Sequence, residues 1–126
     1  MPSKLRLQRI SDRIREELSE IVLFEVSDPR LNNITVTDVK VDREYAYANI
    51  YISAIEGHER STEILAALEH AKGYLRSTLA KRIQLRVFPR LRFHWDPTPE
   101  RANYIEKLLD SLKSETDVST TIENEE

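Results

Sequence analysis

Apolar residues recur every three or four positions near the start of the chain, at Leu7, Ile10, Ile14, Leu18 and Ile21. At 100° per residue they occupy about 80° of a helical circumference, one narrow stripe. That spacing predicts a helix over residues 4–24. Ser3 is a candidate N-cap. Asp28-Pro29-Arg30 predicts the stop, because proline disfavours the α region for the residue before it. After Asn32-Asn33 the period changes to two. Ile34 and Val36 share one face of a predicted strand, and Val39 and Val41 share the other. One extra residue near Thr37-Asp38, a β-bulge, would return all four to a common side. Tyr45 to Ser53 predicts a second strand, with Ala46, Ala48, Ile50 and Ile52 on one face and Tyr45, Tyr47, Asn49 and Tyr51 on the other. The short Asp42-Arg43-Glu44 connection predicts an antiparallel hairpin.

Beyond a loop around Gly57, with Ser61 or Thr62 as a cap, the helical period returns at Ile64, Leu68, Ala71, Leu75 and Leu79. Gly73 interrupts it, at a cost of about 1 kcal/mol relative to alanine. The expectation is two helices, 62–72 and 74–83, joined at an Ala71-Lys72-Gly73 kink. Leu91, Phe93 and Trp95 alternate with Arg90, Arg92 and His94 in a third predicted strand, with Trp95 in the core and Pro89 at a strand start or edge. Thr98 and Pro99 open a last helix carrying Ile105, Leu108, Leu109 and Leu112. From Lys113 the Ser/Thr/Glu composition predicts a disordered acidic tail, 113–126. The order is α-β-β-α-α-β plus a C-terminal helix: a two-layer α+β domain over residues 1–112 with a three-stranded sheet.

Charge changes this picture. The 126 residues carry a formal net charge of −3, yet His70 to Trp95 holds seven Lys/Arg and no Asp or Glu. Residues 1–92 have a net charge of +3 and residues 93–126 a net of −6. An acid-free basic stretch builds a local positive field that attracts polyanions. Lys72 and Arg76 are four apart on a helix, and Arg90 and Arg92 share a strand face. One reading of this stretch is a basic face formed from the helix pair and the third strand, with Lys72, Arg76, Arg90 and Arg92 as candidate phosphate contacts. Arg6, Arg9 and Arg13 lie within about 60° of one another on the first helix and extend it. Lys81, Arg82 and Arg86 sit at a helix–strand junction. The plainer alternative is a solvated basic surface neutralised by acids, with Glu16, Glu17 and Glu20 near Arg13. Tyr45, Tyr47 and Tyr51 resemble a stacking platform, and more simply cover the open side of the sheet.

Several chemistries are excluded. Without cysteine there is neither a disulfide framework nor a thiolate metal site. Two glycines, Gly57 and Gly73, cannot form a Walker loop or a dinucleotide fingerprint. His58, His70 and His94 lack metal-ligand spacing, and no nucleophile neighbours a base. No catalytic residue, metal or cofactor is expected. No apolar run reaches the length of a membrane span, and no secretory signal is visible, so a cytoplasmic location is expected.

The element order is that of type II KH domains. Asp28-Pro29-Arg30-Leu31, Thr35-Val36-Thr37-Asp38-Val39, Ala48-Asn49-Ile50-Tyr51-Ile52-Ser53, Ala71-Lys72-Gly73-Tyr74-Leu75-Arg76 and Pro89-Arg90-Leu91-Arg92-Phe93-His94-Trp95-Asp96 resemble, in order and spacing, the signatures of the ribosome-binding factor A family over about residues 4–112. The Gly-x-x-Gly loop with which KH modules clamp a nucleic-acid backbone is missing. Ala71-Lys72-Gly73 stands in its place, like the family's Ala-x-Gly kink. The resemblance implies a non-catalytic, monomeric maturation factor. It would bind the free or precursor 30S small ribosomal subunit and its 16S rRNA, assisting late assembly and rRNA processing. Ribosomal proteins and a release GTPase are the further partners it implies, and no membrane. The competing reading is a protein-interaction adaptor using the Tyr-bearing sheet face or an edge strand near Pro89.

Overall fold

The computed structural model describes the backbone of residues 4–124 and the side chains of residues 4–113. Helix α1 spans Lys4–Phe24 and buries Ile14, Leu18 and Ile21 completely. A single 3-10 turn, Pro29–Leu31, follows. Asp28 starts it: its Oδ1 accepts the Arg30 backbone N–H at 3.0 Å, and both carboxylate oxygens take hydrogen bonds from the Arg30 guanidinium. Those side-chain bonds hold the Asp28 carboxyl below its ordinary range. Asn33 then turns the chain in the left-handed region, φ 62°, where asparagine is better tolerated than most residues.

Strands β1 (Ile34–Val41) and β2 (Tyr47–Ala54) form the expected antiparallel hairpin. The bulge is where the hydrophobic phase puts it. Val36 pairs with Ile52 and Asp38 with Tyr51, leaving Thr37 as the extra residue. Val36, Val39 and Val41 are all buried as a result, with Ile34 packed partly buried beside them. The Thr37 hydroxyl lies 2.6 Å from Asp96 Oδ2, tying the bulge to the far end of the third strand. The hairpin loop is longer than expected. Asp42 Oδ1 accepts the N–H groups of Ala46 and Tyr47, and Tyr45 adopts φ 57°. Tyr45 therefore leaves the strand and packs against the core, not on the open sheet face.

Helix α2 runs from Ser61 to Arg82 as one uninterrupted helix of 22 residues. The two-helix reading gives way here for a physical reason. Ile64, Ala67 and Leu68 before Gly73, and Leu75 and Leu79 after it, are all buried in one core. Burying such aliphatic side chains is worth about 1.5–3 kcal/mol each, which outweighs the single glycine penalty. A Cβ at Gly73 would meet nothing within 4 Å.

Strand β3 (Arg90–Trp95) begins directly after a buried Pro89 and pairs parallel to β2, giving the order β1-β2-β3. Ala48, Ile50, Ile52 and Leu91 face the helices, while Trp95 is only partly buried against that core. Helix α3 covers Thr98–Asn124, continuing past Lys113 through positions read above as a disordered tail. The chain divides into two compact units at Asp96/Pro97, ahead of the boundary expected at 112. Within the second unit Tyr104, Ile105, Leu108, Leu109 and Leu112 are exposed. The candidate cap Ser3 and the last two tail positions lie outside the described residues.

Candidate nucleic-acid interface

The arginines of α1 follow its apolar stripe. Because Ile14 and Leu18 are pulled into the core, Arg6, Arg9 and Arg13 come to lie along the border of α1 nearest the end of α2. There Arg13 Nη2 donates to the carbonyl oxygen of Arg82 at 2.9 Å. The last carbonyls of a helix lack intrahelical partners and carry its negative dipole end, so a guanidinium is suited to that place. Around this contact runs an open groove of about 490 Å³. Arg6, Arg9, Arg13, Lys81 and Arg82 line it, and no carboxylate does.

These cations are not equivalent. Arg82 turns its guanidinium to Glu17 at 3.0 Å, to Glu20 at 3.8 Å and to Glu25. The hydrogen bond to Glu17, aided by the neighbouring carboxylates, raises its already high pKa further. Its charge is thus balanced within the fold. Arg9 and Lys81 are exposed, with no ion pair or hydrogen bond to another described side chain. Arg86, just beyond α2, is exposed in the same way.

The middle of α2 contributes less than its charge suggests. Arg76 donates from Nη2 to the Phe88 carbonyl at 2.6 Å and from Nε to the Pro89 carbonyl at 3.2 Å. It clamps the segment that feeds β3. Lys72 pairs with Glu69 at 2.7 Å, three residues earlier on the same helix. Neither side chain joins those of Arg90 and Arg92, which project from the side of the sheet opposite the helices. The single basic face expected from the helix pair and third strand is therefore two surfaces, one on each layer.

On the second surface the β2–β3 register sets Tyr47 beside Arg90, Asn49 beside Arg92 and Tyr51 beside His94. The Arg92 guanidinium lies 3.3 Å above the centre of the Tyr47 ring. Tyr51 and His94 stack with centroids 5.2 Å apart and planes inclined by 29°. His94 Nε2 is 2.9 Å from Asn49 Oδ1, which orients the imidazole. Lys40 reaches over Tyr51 at 5.6 Å. The sequence reading put Tyr47, Asn49 and Tyr51 on one strand face and Arg90, Arg92 and His94 on another, but did not bring Lys40 to them. The bulge was the signal for Lys40, because the phase change that sends Val39 and Val41 inward sends Lys40 outward.

Among the described residues no group of His, Cys, Asp or Glu is arranged to hold a metal ion, and no helix is long and apolar enough to cross a membrane.

Comparison with known proteins agrees with this architecture. The family model described as "Ribosome-binding factor A" matches residues 6–109. Ribosome-binding factor A of Aromatoleum aromaticum is 38% identical over 118 residues, covering 93% of each chain. The crystal structure of ribosome-binding factor A from Thermus thermophilus superposes with a TM-score of 0.63 at 28% identity, covering 70% of this chain and 93% of that one. A homology model of the Thermus thermophilus protein, fitted into a cryo-EM map of its complex with the 30S subunit, matches with a TM-score of 0.57 at 29% identity, covering 69% and 91%. With a family model spanning most of its length and a relative of this identity and coverage, the chain belongs to the ribosome-binding factor A family.

Proposed function

We propose that this chain binds the free or precursor small ribosomal subunit through its 16S rRNA and assists late subunit assembly and rRNA processing without catalysing a reaction. Family membership and the fitted 30S complex of the Thermus relative support the ribosome as partner. The observation that carries the mode of binding is the carboxylate-free groove between α1 and the end of α2, with Arg9 and Lys81 unengaged. Phosphate contacts supply affinity without reading sequence, so such a groove docks on folded rRNA by position and charge. Arg6, Arg9, Lys81 and Arg86 are the proposed phosphate ligands. Arg13, Arg76 and Arg82 serve the fold, and Lys72 is held by Glu69. The mechanism is occupancy: a bound factor holds an rRNA segment in one state and excludes premature partners.

Sedimentation of the protein with small subunits, large subunits and whole ribosomes tests this. The wild type should travel with small subunits and the Arg9→Glu/Lys81→Glu variant should not, its thermal melt being unchanged. Undiminished co-sedimentation of that variant would refute the groove as the docking site.

A further inference from the structure

We propose that the outer face of the sheet is a second RNA site, one that takes unpaired nucleotides by stacking. This rests on the reading that the chain is an RNA binder, and names a contact the groove cannot make. Two flat groups stand on β2 and β3. Arg92 lies on Tyr47, and His94 lies on Tyr51. The two tyrosines are four steps apart along β2, a distance of ~13 Å at the rise of a strand. Both pairs are held in place before any ligand arrives: Arg92 by the Tyr47 ring, His94 by Asn49. Tyr47, Tyr51 and His94 remain only partly buried.

Charge decides the class of partner. Lys40, Arg90 and Arg92 are the cations of this face, at the end nearer the hairpin loop. Its acids gather at the other end, where Asp38 accepts the Val39 N–H and Asp96 binds the Thr37 hydroxyl. A polyanion carrying planar groups complements rings interleaved with cations. Bases inside a duplex have their faces already stacked, whereas bases in loops, bulges and ends can be splayed onto side chains. Stacking on an aromatic ring is worth about 1–3 kcal/mol per base and tolerates any sequence. The occupant is therefore a short single-stranded RNA segment, with phosphates on Lys40, Arg90 and Arg92 and bases against the Tyr47/Arg92 and Tyr51/His94 pairs.

The test uses the full chain, a fluorescein-labelled ten-nucleotide oligoadenylate and an RNA duplex of equal length, read by anisotropy. The single strand should bind more tightly than the duplex. Tyr51→Phe keeps the ring and should bind as the wild type does. Tyr51→Leu keeps apolar bulk without the ring and should weaken single-strand binding about tenfold, with duplex binding unchanged. Equal binding of strand and duplex, or a Tyr51→Leu variant that binds the strand normally, would overturn the proposal. So would a Tyr51→Leu defect confined to ribosome association that survives nuclease digestion, because the occupant would then be a protein. Arg9→Glu/Lys81→Glu separates the two readings. Its failure to affect small-subunit co-sedimentation removes the groove and leaves the oligonucleotide result intact.

Discussion

Arg76 shows how far a residue's role depends on what stands within reach of its side chain. It lies in the acid-free stretch and reads as a phosphate ligand, yet it spends two N–H groups on the Phe88 and Pro89 carbonyls. Carbonyl acceptors leave no trace in a charge count, so this role was not legible. Hydrogen bonds made by a charged group are worth about 1.5–3 kcal/mol. Arg76→Ala should lower the unfolding free energy by that order in a urea titration. Gly73 carries the opposite expectation. It sits within an uninterrupted helix with open space where its Cβ would be. Gly73→Ala should raise stability by about 1 kcal/mol, seen as a higher melting temperature. Asp28 sets a pH dependence. Its folded pKa lies below the ordinary value of 3.8 because Arg30 donates to it, so the carboxylate stabilises the fold above that pH. The contribution fades as pH falls from there through the lowered folded value. Asp28→Asn should remove this part of the acid limb while leaving the neutral-to-alkaline profile with the same shape, as measured by thermal melts across pH.

At the scale of elements, periodicity was the better guide. The stripe of α1, the hairpin and the bulge could all be read from where Leu, Ile and Val fall, because burial of one face is what those elements exist to satisfy. The bulge reading is open to a direct check. Deleting Thr37 removes the extra residue and leaves Ile34, Val36, Val39 and Val41 in strict alternation on one face of a regular strand. What is lost is the Thr37 hydroxyl's hydrogen bond to the Asp96 carboxylate, worth about 1.5–3 kcal/mol. The deletion should leave the protein folded by circular dichroism at room temperature, with a lowered melting temperature; a largely unfolded deletion variant would refute the bulge reading. What periodicity could not reveal was the continuity of α2. A glycine signals a local cost, whereas the compensating burial comes from strands distant in sequence. The start of β2 was equally hidden, since it depends on Asp42 capping two N–H groups and on Tyr45 adopting a left-handed turn.

For the whole molecule, the two-layer arrangement and the family could be read before any coordinates, while the distribution of charge could not. Cations adjacent in sequence went to opposite layers, and cations far apart, Arg9 and Lys81, met across a groove. Net charge is likewise uninformative about binding, because the acids are concentrated after residue 92. Salt provides the global measurement. If Arg9 and Lys81 each neutralise a phosphate, the log–log slope of small-subunit affinity against salt should shrink by about 1.5 in the Arg9→Glu/Lys81→Glu variant, at slopes of about 0.7–0.9 per contact. The wild type should lose affinity steeply over the same range.

The parallel pairing of β3 with the central strand also has a consequence for synthesis. β2 finds its antiparallel neighbour almost as soon as it is made, but its other edge waits for the whole of α2 to be added before Arg90–Trp95 can close it. During that interval the nascent chain carries a bare strand edge flanked by Ile50 and Ile52, the kind of surface on which two copies pair wrongly. A polypeptide stopped before Arg90 keeps that edge open permanently, and self-association is its expected fate.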